Sequence, residues 1–261
     1  MDLSLLSRPE MLLAHLGIES PGDIDIEAIA QFCQATVEYA PLDGCEARIL
    51  GYGDRAIITV NSNGTNRGRQ RFGVAHELGH WVYDRGKASF ACETSTFVAA
   101  WKGENPERRA NQYAADLLLP VALFQPRARR KPFTFREVGA LANEFQASRT
   151  ATAIRLVEYG SYLGMVVCST AKGRLWFARS PDLPSTIWPN DEPGRQTLAY
   201  DLLSGKSVDG PVEVYASEWA SYVGADRCAV KEDSIRITPN HVLSLIWWEN
   251  DSELATESED E

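Results

Sequence analysis

Residues 76–80 read His-Glu-Leu-Gly-His. On an α-helix, positions i and i+4 lie one above the other on the same face. His76 and His80 can therefore present two imidazoles to one metal ion. Glu77 stands about 100° further round the helix, close enough to act as a base on water without entering the coordination shell. Two imidazoles and a neighbouring carboxylate are what a zinc hydrolase requires. The whole chain contains four histidines, which argues against a chance pairing at this spacing. Burying two histidines and a glutamate on one stripe costs on the order of several kcal/mol without a partner. A metal ion is such a partner.

The flanks of the motif suit a helix. Phe72, Ala75, His76, Gly79, Val82 and Tyr83 follow the i, i+3, i+4, i+7 rhythm of a buried stripe. Asn66 and Gly68 precede the stripe, and Gly86 follows it as a C-cap.

A catalytic zinc ion takes three protein ligands and keeps its fourth position for water. The metzincin pattern would put a third histidine where this chain has Gly86. His15 and His241 are distant in sequence and have no motif around them. A carboxylate from a second helix is the better candidate. Asn105-Pro106-Glu107 opens such a helix, with Asn105 as its cap and proline in its first turn. Ala110, Tyr113, Ala114, Leu117 and Leu118 then mark its apolar face, and Pro120 stops it. Glu107 and Asn111 border that face four residues apart. Glu107 is the expected third ligand, and Asn111 is expected to hydrogen-bond a ligand. Glu93, Glu104 and Cys92 are its rivals, and Tyr113 or an arginine is a guess for a donor to the developing oxyanion.

These two segments resemble the ImmA/IrrE metallopeptidases. The resemblance lies in Arg-Phe-Gly-Val-Ala-His-Glu-Leu-Gly-His at 71–80 and Glu-Arg-Arg-Ala-Asn-Gln-Tyr-Ala-Ala-Asp-Leu-Leu-Leu-Pro at 107–120. The family pattern in the second run is E-x-E-A-N-x-F-A. Its first glutamate, a zinc ligand in the family, falls on Glu107; its second acid is Arg109 here, and Tyr113 replaces a phenylalanine. The resemblance is strong over residues 22–120 and weaker beyond. It implies a zincin-like fold, one zinc ion per chain with manganese as the alternative, and a cytoplasmic endopeptidase. The implied substrate is a helix-turn-helix repressor, whose cleavage switches on mobile-element transfer or a stress response.

The bulk composition fits this picture. Hydrophobic residues make up 44% and charged residues 24%, ordinary for a soluble globular protein. No apolar run is long enough to span a bilayer, and Met1–Leu6 lacks the basic and apolar regions of a signal peptide. Five scattered cysteines do not form a disulfide framework. Residues Glu249–Glu261 carry seven acids and no base, and discounting them reduces the net charge from −10 to −3. That balance speaks against general nucleic-acid binding.

The expected fold class is α+β, in four parts. Residues 1–125 form the metallopeptidase domain, with a helix capped by Asp25 and strands near Val37–Tyr39 and at Ala56–Val60. A strand beside the cleft is expected to hold an extended peptide by backbone pairing. Residues 126–160 form a helix-turn-helix-like segment, with a Thr134/Glu137 capping box and a Ser148 cap. Its bland reading is a structural helix pair with a basic linker, which could also dock an acidic partner. Its sharp reading is DNA binding, with Arg149, Thr150, Thr152 and Arg155 facing outward. Residues 161–248 form a C-terminal α+β domain, and family members carry a GAF-type sensor in this place. Its expected elements are a hairpin around 171–173 and strands at 212–216, 234–238 and 243–248, with Trp247 and Trp248 in its core or as a lid. Residues 249–261 form an acidic tail. The alternative to a peptidase is a zinc-bearing regulator that sequesters its partner or binds DNA.

Overall fold

The computed structural model describes residues 8–64, 66–84, 90–91, 106–250 and 254. Gly86, Cys92, Glu93, Glu104, Asn105, the segment 1–6 and all of the acidic tail except Glu249, Asn250 and Leu254 lie outside the described residues. The chain is α+β and divides into two compact units, Met1–Arg127 with Leu141–Thr152, and Ala128–Ala140 with Ala153–Glu261.

The first unit opens with α1 (Pro9–His15) and α2 (Ile26–Phe32). Asp25 caps α2 as expected, its carboxylate accepting the N–H groups of Glu27 and Ala28. Strands β1 (Ala35–Ala40), β2 (Ala47–Tyr52), β3 (Arg55–Asn61) and the short β4 (Phe90–Ala91) form a sheet of order β1-β3-β2-β4. The pair β1/β3 is parallel, and β2 pairs antiparallel with β3 and β4. Ala56, Ile58 and Val60 alternate into the core with Ala47 and Ile49, while Leu50 and Ile57 point to solvent. This period of two gives the sheet one covered face. Of the two strands read from the sequence, β1 stands at the edge of the sheet, while β3 is internal and has both edges paired. A peptide cannot add to it.

The motif helix α3 (Arg67–Asp84) lies on the covered face. Asn66 caps it by accepting the N–H of Arg69 at 3.1 Å. The sequence predicts one apolar stripe, but α3 is buried without interruption from Gly73 to Trp81, and Tyr83 is exposed. The reason is that α3 is covered twice. Gly73 faces Ala47, and Gly51 leaves room for the Trp81 ring, so the sheet covers one side. Helix α4 (Pro106–Leu118) covers the other, with Ala110, Tyr113, Ala114, Leu117 and Leu118 buried as expected. Trp81 donates its indole N–H to the Cys33 carbonyl at 2.9 Å, satisfying the polar atom of a buried aromatic.

After Pro120 the chain forms α5 (Val121–Ala128), α6 (Phe135–Phe145) and α7 (Arg149–Tyr159). Ser148 caps α7. The capping box at Thr134 is only half formed. Thr134 accepts the Glu137 N–H, but the Glu137 carboxylate binds Lys131 at 2.8 Å and Arg136 at 3.2 Å, and the Thr134 N–H goes to the Pro132 carbonyl. A nearby ammonium outcompetes a backbone amide for a carboxylate. The outward DNA-reading surface is corrected too. Thr152 and Arg155 are both buried, Thr152 donating to the Ser148 carbonyl and Arg155 pairing with Glu158 and lying over the Tyr159 ring.

In the second unit, β5 (Leu163–Thr170), β6 (Gly173–Arg179), β7 (Val212–Tyr215), β8 (Ala229–Thr238) and β9 (His241–Trp248) form an antiparallel sheet of order β6-β5-β9-β8-β7. The hairpin at 171–172 falls where turn residues predict it. Strand β9 is buried on both faces from Val242 to Trp248, so Trp247 and Trp248 are core residues. Helix α8 (Leu198–Leu203) is capped by Thr197, and its first amides also meet the buried Glu232 carboxylate. Among the described residues no helix is long and apolar enough to cross a membrane.

Candidate metal centre

Helices α3 and α4 are brought together by the absence of a side chain. At Gly79 a Cβ would stand 2.9 Å from the Ala110 Cα and 3.1 Å from the Tyr113 Cβ, closer than packed atoms tolerate. Gly79 lies three residues beyond His76 and directly before His80. The close approach therefore occurs on the face that carries the two imidazoles. It sets Glu107, in the first turn of α4, beside them.

The three side chains singled out by spacing converge. His76 Nε2 and His80 Nε2 are 3.1 Å apart, and each is 3.3 Å from an oxygen of Glu107. Two nitrogens and a carboxylate placed tetrahedrally at about 2.0–2.1 Å from zinc stand about 3.3 Å from one another. The donor set, its spacing and its burial thus fit a zinc ion. His15 is exposed beside Phe32 and His241 bonds Thr238, so neither joins the cluster.

The ring partners fix which nitrogen is free to ligate. His76 Nδ1 is 2.9 Å from Asn111 Oδ1. That oxygen only accepts, so the proton sits on Nδ1 and the Nε2 lone pair faces the cluster. The Nδ1 of His80 faces the Asp84 carboxylate at 3.7 Å. The two Nε2 atoms meet at 3.1 Å, where they share either a hydrogen bond or a cation according to the tautomer of His80. Burial, followed by the proximity of His76, holds the His80 pKa below its ordinary value. The ring is therefore kept in its neutral, ligating form.

Glu77 is buried on α3 next to His76. It follows His76 directly in the motif and is not one of the three ligand side chains. Tyr113, a guess for an oxyanion donor, is buried under Gly79 with its ring edge-on to Tyr83, and burial pushes its hydroxyl pKa well above the phenol range. It belongs to the helix interface. Asp84 escaped the sequence reading, and Arg109 entered it only as a departure from the family pattern; their side chains meet at 3.2 Å. The i+4 spacing of Asp84 from His80 was the available signal.

Residues 33–157 match the model of a peptidase family described as the IrrE N-terminal-like domain. No curated protein matches the chain. Among solved structures, the chain is similar to a Mycobacterium tuberculosis transcriptional regulator, with 12% sequence identity and a TM-score of 0.62 over 98% of this chain and 80% of that one. At that identity the likeness concerns the fold alone.

Proposed function

We propose that this chain is a zinc-dependent endopeptidase of the ImmA/IrrE family, a reading supported by the match of residues 33–157 to an IrrE N-terminal-like domain of the peptidase type. His76, His80 and Glu107 are its metal ligands and Glu77 is its base. One observation carries the reading. Two imidazole nitrogens from one helix and the two carboxylate oxygens of Glu107 from another meet at contacts of 3.1–3.3 Å, with Glu77 adjacent to His76 in the sequence of α3.

A zinc ion bound there supplies a Lewis acid that brings the pKa of water down to about 7 and polarises a carbonyl oxygen. The residues of the chain do the rest. Glu77 accepts a proton from the attacking water and returns it to the leaving amine. Asn111 holds the proton of His76 on Nδ1, away from the cluster. The family and its implied regulators make a helix-turn-helix repressor the substrate we favour. We place the reaction in the cytoplasm, in keeping with the thiols of Cys45 and Cys168.

The test is cleavage of a candidate repressor, encoded beside this protein, by the zinc-loaded chain, followed by mass spectrometry. We expect a single cut by the wild type and none by Glu77→Gln, which still binds zinc and repressor. Removal of a general base lowers the rate by about 10²–10⁴. Identical fragments from wild type and Glu77→Gln would remove Glu77 from the mechanism. Repression relieved equally by Glu77→Gln in cells would favour sequestration over proteolysis.

A further inference from the structure

We infer that Asp84 is a positioning residue for His80, and that Arg109 of α4 clamps Asp84 in place. The inference rests on the metal-site reading above and extends it to two residues outside the motif. Asp84 follows His80 by four residues, so both side chains leave the same face of α3. Its Oδ2 lies 3.7 Å from His80 Nδ1, while its Oδ1 accepts from Arg109 Nη2 at 3.2 Å. The two carboxylate oxygens are thus divided between the ring and the guanidinium.

Asp84 is only 4% exposed. A carboxylate so buried is held in place only when its charge is compensated. Arg109 supplies that compensation from a half-exposed position, and its guanidinium lies over the Tyr83 ring at 5.6 Å, next in sequence to Asp84. The cation is therefore held at both its face and its edge. So placed, the Asp84 carboxylate faces the Nδ1 edge of His80 at 3.7 Å, an electrostatic contact that favours the proton on Nδ1, leaves Nε2 for the metal and raises the ring's basicity as a ligand.

Arg109 stands at the position where the family pattern carries an acid. It flanks Ala110, the residue seated under Gly79, and Asn111 flanks Ala110 on the other side. Asn111 meets His76 Nδ1 directly at 2.9 Å, and Arg109 acts on His80 through Asp84, which faces His80 Nδ1 at 3.7 Å. Helix α4 therefore contributes the ligand Glu107 and both anchors, and seating that one helix orients both rings.

The test is zinc affinity of the stripped full-length chain, read by competition with a chromophoric chelator. Arg109→Met and Asp84→Leu, which leaves no acceptor, should each weaken binding about 10- to 100-fold. Arg109→Lys, which keeps the cation, should recover most of the loss. The Asp84→Leu/Arg109→Met pair should bind no more weakly than the worse single variant, because both act through one contact. Nitrogen-15 spectra of the imidazoles in stripped wild type should show His80 protonated on Nδ1, a reading independent of whether any variant folds. A proton on Nε2 in that spectrum would overturn the inference. So would variant affinities within about twofold of a wild type that itself takes up zinc. A wild type that takes up no zinc would bring down the metal-site reading and this inference together.

Discussion

A Cβ on Gly79 would stand 2.9 Å from the Cα of Ala110. Because the obstructing atom is backbone, no side-chain rotation relieves the contact. Helix propensity alone favours alanine over glycine by about 1 kcal/mol, so Gly79→Ala would stabilise an isolated helix. Overpacking at a closed interface costs about 1–3 kcal/mol, and here the helices must separate. We expect Gly79→Ala to melt lower than the wild type and to bind zinc more weakly, since Glu107 moves away with α4. Thermal melts of the stripped protein and a zinc titration measure the two effects. A higher melting temperature with unchanged zinc affinity would show that the close crossing does not set the site.

Asn111→Leu keeps the volume of the side chain and removes the acceptor for His76 Nδ1. The proton is then free to occupy Nε2, in competition with the metal. Zinc affinity should fall about 10- to 100-fold. Asn111 is only partly buried, so the melting temperature of the stripped chain should move little. Equal affinity in the two proteins, measured by chelator competition, would deprive Asn111 of its role.

Much of this centre was legible in the sequence, and the reasons are geometric. The i, i+4 spacing puts His76 and His80 on one face whatever surrounds the helix. The apolar residues of α4 are spaced to bury one side, so its borders, Glu107 and Asn111, follow from the pattern. What the sequence hides is contact between segments. Arg109 reaches Asp84 across 25 positions, and periodicity carries no information at that range. Polarity misled at Thr152 and Arg155, because a buried arginine with a carboxylate and an aromatic ring beside it reads like a surface one. Strand β2 was missed because the exposed Leu50 and the side-chain-less Gly51 break its apolar alternation, although Gly51 is there to admit Trp81. The six-residue α8 is too short to show a period.

The second unit offers a test by pH. Glu232 is fully buried and accepts the N–H groups of Leu198 and Ala199 and the hydroxyl of Ser234. Burial nonetheless raises its pKa above the ordinary 4.5. A carboxylate with a raised folded-state pKa binds its proton more tightly when folded. Its stabilising contribution is present below pH 4.5 and is lost as pH rises through the raised value. Glu232→Gln mimics the protonated form at every pH. The difference in melting temperature between Glu232→Gln and wild type should therefore shift in favour of the variant as pH rises from 4.5. A difference independent of pH would show that Glu232 does not titrate across this range.

The account depends most directly on one ion held by His76, His80 and Glu107. The decisive measurement is elemental analysis of the purified chain together with zinc titration of its stripped form. The account predicts one zinc per wild-type chain, a melting temperature that rises on zinc addition, and loss of stoichiometric uptake in His76→Ala, His80→Ala and Glu107→Ala. A wild type that takes up no transition metal, or three variants that load as fully as the wild type, would contradict it.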